Sequence, residues 1–301
     1  MSSASNDTDY DNSCLGFDRY TTGWLFTILS ASHAFLTLGT IIVFWLLIKK
    51  YPSYILFVGM GVSDFCMILN IWWFSGLCTL MQSNLGSTWS FVTLNSSLIP
   101  GLYHHVAIAA TRFIALVYPT RFRTWLTIRY CAAISVACYV AGLLHVVIIN
   151  SFDYFKFIYS PVMCGFAFLG LGHPNFDVVP LHWIFLEGGV VCICALIYVA
   201  AALCRTGPAQ AWQVSSQKAE LKFTIACAVN SFCLALIAVV VNILPMVTHD
   251  SGSVAVVYSN MFLLANSAVN PYLYWFLSAT FRKQFMLVFC RKTIQIDTIH
   301  E

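Results

Sequence analysis

Near its C-terminal end the chain reads Ala265-Asn266-Ser267-Ala268-Val269-Asn270-Pro271-Tyr272-Leu273-Tyr274. This stretch closes an apolar run, Ala255 to Leu277, that is long enough to cross a bilayer. Two asparagines, a serine, two tyrosines and a proline sit where lipid alone would tolerate none of them. Pro271 removes a backbone donor and disfavours helical geometry in the residue before it. The freed carbonyls then need partners from neighbouring helices, side chains or trapped water. The stretch therefore predicts an irregular helix held inside a bundle and capable of two arrangements.

The rest of the chain supplies that bundle. Of 301 residues, 59% are hydrophobic and 9% charged, with a mean hydropathy of +0.79. A soluble domain carries about 25% charge, so the composition is that of an integral membrane protein. Six further apolar runs precede the last one: Trp24 to Ile48, Tyr54 to Leu80, Trp89 to Val117, Cys131 to Ile149, Val178 to Cys204 and Phe223 to Val247. The expected fold class is an all-α membrane protein, a seven-transmembrane helix bundle. Its parts are a tail (1–23), the transmembrane domain (24–277) and a terminal segment (278–301), with no internal repeat. Twelve cysteines look abundant, but most lie inside the apolar runs and read as small core hydrophobes.

Sidedness follows from where the charges fall, and a net charge of +3 gives no reason to expect nucleic acid as a partner. Lys49, Lys50, Arg112, Arg121, Arg123, Arg129, Arg205, Lys218, Lys222, Arg282, Lys283, Arg291 and Lys292 share one face; only Arg19 and Lys156 fall on the other. By the positive-inside rule the N-terminus is outside and the C-terminus cytosolic, as for a multi-pass plasma-membrane protein. Met1 to Arg19 is polar and acidic, so no cleavable signal peptide is expected before the first span. Asn6-Asp7-Thr8 is a glycosylation sequon on the outer tail, making Asn6 the acceptor. Asn95-Ser96-Ser97 matches the same pattern but lies within a span.

After the seventh run, Ala279 to Cys290 sets apolar and basic residues at helical spacing. It predicts a short amphipathic eighth helix. Phe281, Phe285, Leu287 and Val288 would lie in the lipid interface while Arg282 and Lys283 meet anionic headgroups. Cys290, beside Arg291-Lys292, is either a palmitoylation site or an unmodified thiol.

Three motifs in the expected spans and order carry a resemblance. Asn266-Ser267-x-x-Asn270-Pro271-x-x-Tyr274, Thr111-Arg112-Phe113 with the following Pro119 and Arg121-Phe122, and Ser63-Asp64 resemble the rhodopsin-like G-protein-coupled receptors. The likeness covers roughly the whole chain. It implies a receptor, not an enzyme, that binds an extracellular ligand and activates a heterotrimeric G protein. Arg112, Asn270, Pro271 and Tyr274 would form the inner switch. Asp64, Asn266, Ser267 and Asn270 would form a polar cluster holding Na⁺ or water. A carboxylate at mid-depth costs several kcal/mol unless paired or hydrated, which makes Asp64 a functional candidate in its own right. Against the switch stands an Arg112 that merely snorkels to headgroups.

The departures are as informative. The family's Asp-Arg-Tyr is here Thr111-Arg112-Phe113, so the arginine lacks its neighbouring carboxylate, and Glu220 is a candidate substitute. The outer cysteine of the third span would align near Ser87. The sixth span lacks Cys-Trp-x-Pro, although its Phe232 remains and Pro245 lies further outward. The fifth span lacks its mid-helix proline, and Gly39-Thr40 stands where Gly-Asn is usual. With Cys164-Gly165-Phe166-Ala167-Phe168 in the second outer loop, the divergence is most similar to nematode chemoreceptors of class X. By analogy with the family's bridge, Cys164 would pair with Cys78, with Cys14 as the alternative.

In the outer half, Glu187 and His182 with Asn95 and Asn260 are candidates to line a pocket for an amine or polar ligand. His182 reads equally well as an edge residue. His104 and His105 point about 100° apart, so at most one should face the core, as a helix-packing donor. No metal set has suitable spacing. Every lysine lies at or beyond a span end, which excludes a retinal Schiff base, and no cofactor is expected. A small-solute transporter or channel is the alternative of similar topology. It would predict two related halves with paired broken helices or charged rings, and neither is present in the sequence.

Overall fold

The computed structural model describes residues 13–14, 17–81, 83, 87–151, 157–160, 165–168, 178–204, 225, 227–233, 236 and 252–289. A short ladder, β1 (Ser13–Cys14) with β2 (Phe17–Asp18), leads into α1 (Arg19–Leu47). Asp18 caps α1: its carboxylate accepts from the Thr21 backbone N–H at 2.7 Å, satisfying one of the helix's orphan donors. The helix thus begins ahead of Trp24. Next come α2 (Tyr54–Ile71), a π-helical stretch (Trp72–Cys78) and the single turn α3 (Thr79–Met81), which form one continuous rod. Gly76 in the π stretch lets α1 come close, since a Cβ there would sit 2.7 Å from Thr27 Oγ1.

The central element is α4 (Ser87–Val117), packed against α2, against α6 (Ile128–Asn150) and against α7 (Val178–Cys204). Between α4 and α6 runs α5 (Pro119–Trp125), with proline at its first turn where no donor is lost. Thr127 then caps α6 by accepting from Tyr130 N–H. A Cβ on Gly142 of α6 would lie 2.7 to 2.9 Å from the ring and backbone of Pro100, so the two helices touch at backbone distance. In the loop after α6, β3 (Phe157–Ser160) and β4 (Gly165–Phe168) pair antiparallel, Phe157 opposite Phe168. Strand β3 lies against α4; β4 lies against the π stretch and against α8 (Gly252–Leu277). The last element is α9 (Ala279–Phe289). Within the sixth apolar run, residues 225, 227–233 and 236 are helical; the others lie outside the described residues.

Three helices among the described residues are long and apolar enough to cross a membrane: Arg19–Leu47, Tyr54–Met81 and Ile128–Asn150. The exposed face of α6 presents Val136, Val140, Leu143, Leu144, Val147 and Ile148. A contiguous apolar face of this kind is out of place in water and at home in lipid, and the chain is a membrane protein.

Several expectations need correction. Helix α8 remains helical through Pro271. The irregular backbone lies in the second rod, at the π stretch, and α4 also carries an internal proline, Pro100. His104 and His105 are both buried, because α4 is surrounded on several faces. Cys66 and Cys192 are exposed on helix surfaces and are not core residues, whereas Cys131, Cys138, Cys194 and Cys227 are buried. In α9, Phe281 is buried against Phe44 and Tyr274, and Phe285 reaches Gly39 of α1, so these rings pack on protein. Arg282 turns back to donate to the carbonyls of Trp275 and Phe276 instead of facing outward.

Candidate functional site

Two groups of sequence-selected residues come together in one half of the bundle. The first centres on Arg112, near the end of α4. Although an arginine there could extend toward headgroups, its side chain is only 2% exposed. Its Nη2 donates to Ser53 Oγ at 2.8 Å, at the start of α2. The guanidinium carbon lies 5.7 Å from the ring centre of Phe57 and 5.8 Å from that of Phe122 in α5. Both distances fall within the range of cation–π attraction. Thr111, in the position of the missing carboxylate, turns its hydroxyl to the Ile108 carbonyl.

Phe57 links this group to α8. Its ring stands edge-on to Tyr274 at 5.7 Å, and Tyr274 is itself edge-on to Phe44 at 4.9 Å. Phe281 closes the cluster at 6.0 Å from Tyr274. Pro271 and Tyr274 are both buried. Phe57 therefore lies against both the Arg112 cation and Tyr274.

The second group lies deeper. Asn270 Nδ2 donates to Asp64 Oδ2 at 2.8 Å, joining α8 to α2. Asn266, Ser267 and Asn270 are all buried, and the side-chain oxygens of Asn266 and Asn270 have no hydrogen-bond partner among the described residues. Helices α1 and α2 are antiparallel, with Thr27 against Gly76 and Ile41 against Gly61, which sets Thr37 near the depth of Asp64. The Thr37 and Ser30 hydroxyls on that face of α1 are likewise buried without a partner among the described residues. Buried oxygens in this number are normally satisfied by ordered water, and an oxygen-lined site with one carboxylate also suits a small hard cation. No cluster of three or more His, Cys, Asp or Glu residues is present among the described residues.

The pocket candidates Asn95 (α4), Glu187 (α7) and Asn260 (α8) are all buried. His182 lies in α7, but its side chain is outside the described residues. So are Asn6, Cys164, Glu220, Pro245 and Cys290, while Cys78 is buried at the end of the π stretch.

Polar residues also join the helices elsewhere, and His104 acts as the packing residue expected of the pair. His104 Nδ1 meets the Pro100 carbonyl at 2.7 Å and Nε2 meets Ser135 Oγ at 2.9 Å, joining α4 to α6. Tyr139 of α6 donates to the Gly59 carbonyl at 2.7 Å. Ser53 and Phe57 carry no motif, and although Phe122 closes the motif that contains Arg112, nothing in their spacing marks the three as its neighbours.

No protein-family model and no curated protein sequence matches the chain. A crystal structure of squid rhodopsin is similar in fold, with a TM-score of 0.71 at 14% identity, covering 91% of this chain and 85% of that one. The chain therefore has a rhodopsin-like fold.

Proposed function

We propose that the chain is a seven-span G-protein-coupled receptor of the plasma membrane, with its N-terminus outside and its C-terminus in the cytosol. Its role is chemosensory, akin to the nematode receptors it resembles, and it performs no enzymatic chemistry. The observation that carries this reading is the link between Arg112 and Tyr274 through Phe57. A cation buried at one end of the central helix is tied to the proline-bearing helix by contacts that one displacement would break. Such a bistable element is what a ligand needs to bias. When α8 and the sixth span shift, Arg112 is released toward the G protein.

Ligand enters from the outer face, where Glu187, Asn95 and Asn260, with His182, offer polar contacts to an amine or polar molecule. The Asp64, Asn266, Ser267 and Asn270 oxygens hold water or Na⁺ and couple that pocket to the switch. A Cys78–Cys164 bridge is supported by β4, which starts beside Cys164 and lies against the π stretch that ends at Cys78. Asn6 is glycosylated and Cys290 palmitoylated.

The test is a ligand screen on cells expressing the full chain with a promiscuous Gα, with Arg112→Ala and Glu187→Gln as controls. Ligand-dependent nucleotide exchange, lost in Arg112→Ala at normal surface expression, supports the receptor. Solute or ion flux that needs no G protein would favour the transporter instead.

A further inference from the structure

The contacts of Arg112 point to a device that the motifs alone do not reveal. In this chain Thr111 stands beside the arginine, and its hydroxyl is committed to Ile108. Two aromatic rings from different elements face the cation, Phe57 on α2 and Phe122 on α5, at 5.7 and 5.8 Å. Both rings belong to short-range packing that fixes their positions. Phe57 is 1% exposed and locked among Phe44, Tyr54 and Tyr274. Phe122 is held by α5, where its N–H donates to the Tyr118 carbonyl at 2.8 Å. The next residue toward the N-terminus, Arg121, stacks outward over Tyr118 and Trp125 at 5.9 and 5.5 Å. Helix α5 therefore offers one cation–aromatic group to its exposed side and one ring to the buried arginine.

We propose that Phe57 and Phe122 form an aromatic clamp on Arg112, which holds the guanidinium inside the bundle in the resting state and lets it go when α5 moves away. The clamp rests on the receptor reading above for its consequence, but not for its existence. Attraction between a guanidinium and a ring face is electrostatic, arises from the ring quadrupole and strengthens when water is excluded. At 2% exposure Arg112 meets that condition. Phe57 ties the clamp to Tyr274 and Phe122 ties it to the loop helix, so motion at either end weakens the same grip. A ring clamp responds to ring electronics and to displacement.

Two measurements on the full-length protein in nanodiscs test this. The first replaces Phe122 by mono-, di- and trifluorophenylalanine, which keep the ring nearly isosteric while draining its negative face. The thermal unfolding midpoint should fall stepwise with each fluorine, and a flat series overturns the clamp. The second compares Phe122→Leu, which keeps an apolar side chain of similar bulk, with Phe122→Tyr, which keeps the ring. Basal nucleotide exchange should rise about fivefold in Phe122→Leu and stay at the parental level in Phe122→Tyr, the factor expected for losing one such contact. Exchange in Phe122→Leu equal to the parent, in a protein that couples, overturns the resting-state role. A stepwise thermal series with no exchange on any Gα leaves the clamp standing and removes the receptor reading.

Discussion

Asn270 and Asp64 lie 206 positions apart in the chain and are joined by one hydrogen bond of 2.8 Å, from the amide of α8 to the carboxylate of α2. That bond ties α8 to α2, and it leaves the side-chain oxygen of Asn270 buried without a partner among the described residues. A site so arranged is sensitive to the identity of the acceptor at position 64.

Replacing Asp64 by Ala removes the acceptor and strands a buried amide, which costs about 1–3 kcal/mol. Asp64→Asn keeps a carbonyl oxygen in reach and should lose less. Thermal unfolding of the purified protein should therefore rank the parent first, Asp64→Asn next and Asp64→Ala last. An Asp64→Ala protein as stable as the parent would contradict the pairing. If the cluster holds Na⁺, raising sodium should stabilise the parent and leave both variants unmoved.

The α4–α6 contact makes a sharper steric prediction. At Gly142 an added Cβ would meet Pro100 N and Cα at 2.8 and 2.9 Å, atoms of a helix backbone that cannot rotate aside. Overpacking of this kind costs about 1–3 kcal/mol, so Gly142→Ala should lower surface expression and the unfolding midpoint. Gly101→Ala is the matched control on α4 itself. Its added Cβ would find Ser63 Cβ at 3.4 Å, an ordinary contact, and stability should stay near the parental value. Equal effects of the two changes would argue against a backbone-tight contact at Pro100.

How far the fold was legible can be judged from particular residues. Asp64, Asn270, Pro271 and Tyr274 stand out in sequence because polar residues and proline are costly inside lipid, and the structure brings Asp64 and Asn270 into contact. Arg112 was visible from the motif Thr111-Arg112-Phe113. Its contacts were not: Phe57 is an ordinary aromatic in a chain with 24 phenylalanines, Phe122 is marked only as the end of the same motif, and the packing of α2 and α5 around α4 brings both rings to the cation. The π stretch at Trp72–Cys78 was equally hidden, since it contains no proline, and the close approach of its Gly76 to Thr27 is not readable from sequence. The fate of Arg282 was misjudged because helical periodicity assigns a face and says nothing about open carbonyls one turn away. Both histidines of the His104-His105 pair are buried because burial of α4 on several sides overrides the angular argument.

Outside the membrane, Asp18 gives a pH-dependent prediction. The Thr21 hydroxyl and then the Thr21 backbone N–H hold its carboxyl below the usual carboxylate value of 3.8. A depressed folded-state pKa means that the cap contributes stability above the unfolded value and loses it as pH falls through the folded one. The parent should therefore exceed Asp18→Ala in stability at neutral pH, and the gap should close below about pH 4. Amide exchange in the first turn of α1, measured across that range, reads the effect directly. A gap that persists unchanged at low pH would mean that the carboxylate is not what holds the turn.

The junction of α8 and α9 depends on Arg282. Its Nη1 donates at 2.8 Å to both the Trp275 and the Phe276 carbonyls, groups that the end of α8 would otherwise leave open. Ser278 Oγ adds a cap to the next helix by accepting from Phe281 N–H at 3.2 Å. Phe281 and Phe285 then lie against α1 and Trp275, so the angle between the two helices is set by the Arg282 bonds and by this aromatic packing together. Arg282→Ala should free two carbonyls at a cost of about 0.5–1.5 kcal/mol for each bond lost, and should loosen α9 without unfolding the bundle. A spin label at the exposed Met286 should become more mobile in Arg282→Ala. Arg282→Lys, with a single ammonium in place of the fork, should be intermediate because it keeps a donor but not the guanidinium geometry. Unchanged label mobility in Arg282→Ala would show that the Phe281–Phe285 packing alone seats the helix.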